Sequence, residues 1–263
     1  MKNEAEKYLP SNVFEGLTSI RAIIKARDDG VSDRPINEIL YDESRKSKIF
    51  RELSWLDRIA PQHGFKLTPS TGERISELTL GKSHGGFVAL CGERAIPAID
   101  CMSIAPNGFY VMLDGIEDPY NFGSAVRSVY AAGADGIILP PRSWMSAAGI
   151  VCRSSAGASE LVNMYTGDPN TAIDIFRSQG YKIVASSKER AVSMYDASLT
   201  TPIFMIVGGE LRGISKTLMA KVDMTVRIDY GRDFPAALSA QSSAAILAFE
   251  VYRQNHMVQS KDT

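Results

Sequence analysis

The chain has 263 residues, 44% of them hydrophobic and 22% charged, close to ordinary globular usage; that excludes disordered, collagen-like and coiled-coil classes, and the length suits two modest domains. Lys plus Arg is 29 and Asp plus Glu is 30, a formal net charge of −1 with no basic excess on either side of Asp100. A polyanionic partner must then be held by local patches, because no globally basic surface exists to attract it.

The first predicted element is an amphipathic helix over residues 16–27, with Leu17, Ile20, Ala22, Ile23 and Ile24 on its apolar side. A charged stretch over 42–58 follows, in which Arg45, Lys46, Lys48 and Arg51 alternate with Asp42, Glu43 and Glu52 and read as a solvated face. The glycine-rich GKSHGG, carrying Lys82 and His84, leads into a short strand over 86–91. It can follow a nucleic-acid backbone or serve as a plain surface loop. Residues 94–108 contain two prolines and no sustained period, which places a domain boundary there: an N-terminal domain over 1–106 and a C-terminal domain over 107–263.

Beyond the boundary, apolar runs at 109–113, 136–139, 182–186, 203–207 and 225–228 alternate with helical stretches, and a long terminal helix covers 239–254. Runs that are apolar on both faces and separated by helices predict a parallel sheet covered on both sides, with ligands at the carboxyl ends of its strands. The longest apolar run, 202–207, is far below the ~20 residues that span a bilayer, and MKNEAEKYLP has no apolar core, so no membrane association is expected and the chain reads as cytoplasmic. Cys91, Cys101 and Cys152 form no CxxC pair, which points to a reducing compartment and buried thiols. His63, His84 and His256 share no zinc-ligand spacing with them, and no metal site is expected.

Three motifs carry chemistry-bearing residues at strand ends or between strands. In DPYNFGSAVR, Asp118 and Pro119 have the types of an N-cap and first helical residue, which sets Asn121 in a first turn rich in free N–H groups; Arg127 follows six residues on. A capped helix with a solvated arginine fits the same spacing. In VGGELRGIS, Gly208, Gly209 and Gly213 surround Glu210, so a ligand can approach the backbone closely, although neither the P-loop nor the GxGxxG fingerprint is present. In CRSSAGASE, Arg153 and Ser154 can touch phosphate, or the small residues can pack a helix tightly.

Taken in order, these motifs resemble the SpoU (TrmH-type) family of RNA ribose 2′-O-methyltransferases. LDGIEDPYNFGSAVRSVYAAGADGIIL is similar to its first motif, with Asn121 and Arg127 at the family's Asn and Arg, and IVGGELRGIS to its second, with Glu210 as the acid. FEGLTSIRAIIKA and GKSHGGFVAL look like its small N-terminal α/β substrate-binding domain. The resemblance implies a deep trefoil knot in the parallel-sheet domain, a homodimer, structured rRNA or tRNA as substrate, and S-adenosylmethionine held by Ser186, Gly208, Gly209, Ile228 and Leu238. It also implies catalysis by Asn121, Arg127 and Glu210; with RNA as substrate, Lys82, His84, Arg153 and Ser154 are the candidate RNA contacts. A guanidinium is a poor general base, so a phosphate clamp suits Arg127 better than proton removal. The third motif departs from the family: SLN becomes Ala237, Leu238, Ser239, and the Pro and Met after Ile228 become Asp229 and Tyr230. That departure also suits a second reading, an RNA-binding protein on the same scaffold with little or no methyl transfer.

Overall fold

Two apolar segments of different character open the chain: β1 (Val13–Glu15) is buried throughout, and α1 (Gly16–Asp28) buries Ile20, Ile23, Ile24 and Ala26. They begin the first of two units in the computed structural model, which describes residues 12–80, 84–141, 147–188, 190–209 and 213–259. β2 (Ile36–Asp42), α2 (Phe50–His63), β3 (Lys66–Ser70), α3 (Gly72–Leu78) and β4 (Phe87–Cys91) follow. The four strands form a sheet in the order β1-β4-β2-β3, antiparallel except for β2 against β3. The edge strand β3 carries Pro69, a residue that an edge tolerates because it has no N–H to donate.

The first unit comprises the described residues of Met1–Ala95 together with those of Trp144–Leu161. Its boundary therefore falls 11 residues before the expected 106/107, and a later stretch of the chain returns to it. That stretch holds α5 (Ala148–Ser154) and α6 (Ala158–Leu161), and Ala148 and Cys152 join the core formed by Phe14, Ile20, Ile23, Ile39, Leu56 and Phe87. Local periodicity could not reveal this return, because the packing that fixes it is more than a hundred residues distant in sequence.

The second unit, Ile96–Ser143 and Val162–Thr263, is the predicted α/β parallel-sheet domain. Its elements are β5 (Phe109–Asp114), α4 (Pro119–Ala131), β6 (Gly136–Leu139), β7 (Met164–Thr166), α7 (Pro169–Ser178), β8 (Lys182–Ser186), β9 (Val192–Ser193), β10 (Ile203–Gly208), α8 (Lys216–Met219), β11 (Met224–Arg227) and α9 (Ala240–Gln259). Seven parallel strands run in the order β7-β6-β5-β10-β8-β11-β9. Alternate residues of β5 and β10 face opposite sides, as strand geometry requires. Met112, Phe204 and Ile206 pack with Ile173 and Phe176 of α7, the Phe176 and Phe204 rings stacked 4.3 Å apart. α4 and α9 pack on each other and contact β5 and β10 respectively. Both faces of the sheet are thereby covered, which is why its central strands read as continuous apolar runs.

The sequence expected three buried thiols. Cys91 and Cys152 are buried, and burial pushes both up, Cys91 to about 12; Cys101 is exposed, because it lies in a short 3-10 turn ahead of β5 rather than in a core element.

Candidate functional site

Parallel strands that end side by side leave their last residues and the loops after them facing one crevice. Here β8 ends at Ser186, β10 at Gly208 and β11 at Arg227, and the three strands are neighbours. A cavity of about 470 Å³ opens against these ends, lined by Ser186, Ser187 and Lys188 after β8, by Gly208, Gly209 and Gly213 after β10, and by Ile228, Tyr230, Ala237 and Leu238 after β11. Ala240, Ser243 and Leu247 from the start of α9 also line it. The floor is made tight by glycine: a side chain at Gly208 would lie 2.9 Å from Cγ1 of Ile214, another lining residue. Gly208 N–H faces Ser186 Oγ at 3.4 Å, so the ends of β8 and β10 are tied across the cavity floor.

A backbone contact joins this cavity to the start of α4. Gly209 lies so close to Gly115 that a methyl group on it would collide with the Gly115 carbonyl oxygen. Gly115 has φ +75°, a conformation that few side-chain-bearing residues adopt. The loop from Gly115 then runs to Asp118, whose carboxylate accepts the Asn121 N–H at 2.8 Å and caps α4, with Pro119 at its first position. Asn121 is half-buried in that first turn, and Arg127 is exposed nearly two turns on. Asp114, the last residue of β5, stands in register with Gly208, and its carboxylate has no hydrogen-bond or ion-pair partner among the described residues. Burial pushes its carboxyl above the usual carboxylate range.

The five residues expected at a cofactor, Ser186, Gly208, Gly209, Ile228 and Leu238, thus surround one cavity. Asn121 and Arg127 do not line it but stand on the helix whose lead-in loop touches it. Glu210 and Lys82 lie outside the described residues. The remaining RNA candidates have partners inside the first unit. Arg153 pairs with the buried Glu15 at 2.6 Å, and Ser154 Oγ donates to the Ile150 carbonyl at 2.9 Å. His84 is buried, its Nδ1 accepting the Gly86 N–H at 3.1 Å and holding the turn into β4. Sequence reasoning missed Lys188 and Tyr230 in the cavity wall; Tyr230 was noted only as a departure from a motif, with nothing to show where its ring goes. Among the described residues no cluster of His, Cys, Asp or Glu could hold a metal ion, and no helix is long and apolar enough to cross a membrane.

Known proteins share both the pattern and the architecture. A protein of Staphylococcus haemolyticus assigned to the TrmH family of tRNA/rRNA methyltransferases is 32% identical over 149 residues, which are 56% of this chain and 59% of that relative. A Staphylococcus aureus protein with the same assignment is 25% identical over 251 residues, 88% of this chain and 94% of the relative. In three dimensions, the AdoMet-bound rRNA methyltransferase of Sinorhizobium meliloti superposes with a TM-score of 0.75 at 23% identity, covering 92% of this chain and 88% of that one, a likeness of fold. The sequence profile of the SpoU rRNA methylase family matches residues 108–249, a span that runs from β5 through the cavity loops and into α9. With more than half of its length matched and the cavity at the strand ends within the matched span, the chain belongs to the SpoU rRNA methylase family.

Proposed function

We propose that this member of an RNA methylase family transfers a methyl group from S-adenosylmethionine to a ribose 2′-hydroxyl of structured rRNA or tRNA, and that it works as a homodimer. The observation that carries the reading is the cavity at the ends of β8, β10 and β11, tied through the Gly209–Gly115 contact to the helix start that presents Asn121. Its donor set fits the cofactor: glycine backbone at Gly208 and Gly209 and apolar walls at Ile228 and Leu238 suit an adenosine, while Ser186, Ser187 and Lys188 suit the polar amino-acid portion. Bound S-adenosylmethionine supplies a sulfonium-activated methyl group. The protein's task is then to align the 2′-oxygen, exclude water and let a proton leave. Exposed Arg127 grips an RNA phosphate, and Asn121 and Glu210 orient the ribose hydroxyl. The trefoil knot that the family resemblance implies belongs to the second unit, which carries most of the matched span.

Support for the dimer comes from α4 and α9. Tyr120, Tyr130, Phe249 and Tyr252 leave four large rings exposed on this packed helix pair, a composition that suits an isologous contact. Light scattering on the full chain is expected to give twice 28.7 kDa. For the activity, ribose methylation is mapped in RNA from cells with and without the gene. One ribose methylation that disappears on deletion and returns with wild type, but not with Arg127→Ala, is the expected result. A wild type that binds RNA and methylates none of it would favour the binding-protein reading instead.

A further inference from the structure

Ala237 and Ser239 lack the Ser and Asn side chains of the family's third motif, yet the segment around Leu238 is held in another way. The Tyr230 hydroxyl accepts the backbone N–H of Leu238, eight positions on, at 3.0 Å and closes the loop between them. Lys188, two residues beyond β8, donates to the Pro235 carbonyl at 3.3 Å and stands 5.5 Å from the centre of the Tyr230 ring. Asp229 anchors the near end of the loop, accepting from Ser193 Oγ and from Arg227 Nε. Ser239 anchors the far end, its Oγ accepting the Ser242 N–H at 3.2 Å and its carbonyl the Ser243 N–H at 2.9 Å as α9 begins. Five of these residues, Lys188, Tyr230, Ala237, Leu238 and Ser243, line the cavity.

Each anchor has a consequence for the cavity. Leu238 is half-buried between exposed Ala237 and the first turn of α9, so nothing in Ala237 itself can fix it. The tyrosine hydroxyl reaches across the loop and sets the position of the Leu238 backbone, while the lysine holds the ring and ties the loop to the segment after β8. Tyr230 stands where the family carries methionine, which cannot accept a backbone N–H with comparable strength. We propose that Tyr230, clamped by Lys188, is a positioning residue of the S-adenosylmethionine pocket, replacing with a cross-loop hydrogen bond the order that the family's third motif supplies through its own side chains. This rests on the cofactor reading given above.

The test is Tyr230→Phe in the full chain, which removes the hydroxyl and keeps the ring. Titration calorimetry with S-adenosylmethionine is expected to give a Kd raised roughly 3- to 10-fold, the span one neutral hydrogen bond commands. The KM for the cofactor should rise with it, and amide exchange at Leu238 should quicken by at least about 5-fold without cofactor present. Asp233→Asn, which alters an exposed side chain of the same loop, is the comparison and should leave the Kd within about twofold. A wild type that binds S-adenosylmethionine while Tyr230→Phe binds it equally well or better overturns the latch and leaves the cofactor reading standing. A folded wild type that takes up no S-adenosylmethionine overturns both.

Discussion

Residues 152–160 (CRSSAGASE) and 207–213 (VGGELRG) are both short runs of small residues interrupted by charge, and they serve different ends. In the first, smallness serves closeness between elements. Gly157, at φ +89°, lies so near Ala22 of α1 that a methyl group would collide with it, and Glu160 forms a two-pronged pair with Arg34 at 2.9 and 3.2 Å, both side chains almost wholly buried. The Arg34 guanidinium also donates to the Gly92 carbonyl and lies over the Phe14 ring. In the second run the glycines are packed just as closely, Gly208 on Ile214 and Gly209 on Gly115, but the backbone they bring together lines a cavity. The distinction lies in what precedes each run. Gly208 is the last residue of a central parallel strand, where the sheet stops and a crevice opens, whereas Cys152 sits inside a helix packed into the core of its own unit.

The largest expected effect breaks the first of these regions. Glu160→Gln leaves the Arg34 charge buried without its counter-charge, a change that costs about 3–5 kcal/mol. Urea unfolding followed by Trp55 fluorescence in a Trp144→Phe background should register that loss in the first unit. A loss below about 1 kcal/mol would mean the pair is dispensable. S-adenosylmethionine binding, a property of the other unit, should persist under conditions where the variant stays folded.

Two alanine substitutions sharpen the comparison at a smaller scale. Gly157→Ala and Gly209→Ala each force a methyl group into occupied space, and overpacking of this kind costs about 1–3 kcal/mol. Their functional consequences should part. Gly157→Ala is expected to lower the unfolding midpoint while the Kd for S-adenosylmethionine stays within about twofold, whereas Gly209→Ala should weaken binding by tenfold or more, because it moves the Gly115 loop and the cavity floor together. Equal effects on binding from both would show that the two runs are not functionally distinct.

Much of the second unit was legible in the sequence because each central strand is a closed apolar run: 136–139 and 182–186 match β6 and β8 to the residue. The helix at 16–27 was legible from its one-sided apolar stripe. β2 and β3 were not, since INEILYD and KLTPS mix charged, turn-forming and apolar residues and owe their pairing to each other and to β4. The return of α5 and α6 to the first unit was hidden because small residues report closeness without naming the neighbour. At the cavity, Ser186, Gly208, Gly209, Ile228 and Leu238 could be named from motif order, but Tyr230 could not, because its role depends on a bond across a loop that has no period.

The smallest expected effect concerns charge at the two kinds of region. Burial raises the Asp114 carboxyl above its ordinary 3.8, and no described group compensates it. The folded state therefore holds this proton more tightly than the unfolded state does, so the contribution to stability is fully present below pH 3.8 and is lost as pH rises through the folded value. Asp114→Asn, which cannot ionise, should be more stable than wild type at pH 7 and indistinguishable from it near pH 3. Glu250 on α9 carries the opposite sign. Arg253 donates to it at 2.6 and 2.8 Å and Gln254 at 2.8 Å, and these bonds hold its carboxyl below the ordinary 4.5 against the opposing effect of burial. Its contribution is present above pH 4.5 and is lost as pH falls through the depressed folded value, so Glu250→Gln should be less stable than wild type at pH 7, the difference closing in acid. Unfolding midpoints of the three proteins between pH 3 and 7 test both signs. If Asp114→Asn is the less stable protein at pH 7, Asp114 holds a partner that the strand-end geometry does not display, and the end of β5 is a paired packing site rather than one left uncompensated beside the cavity.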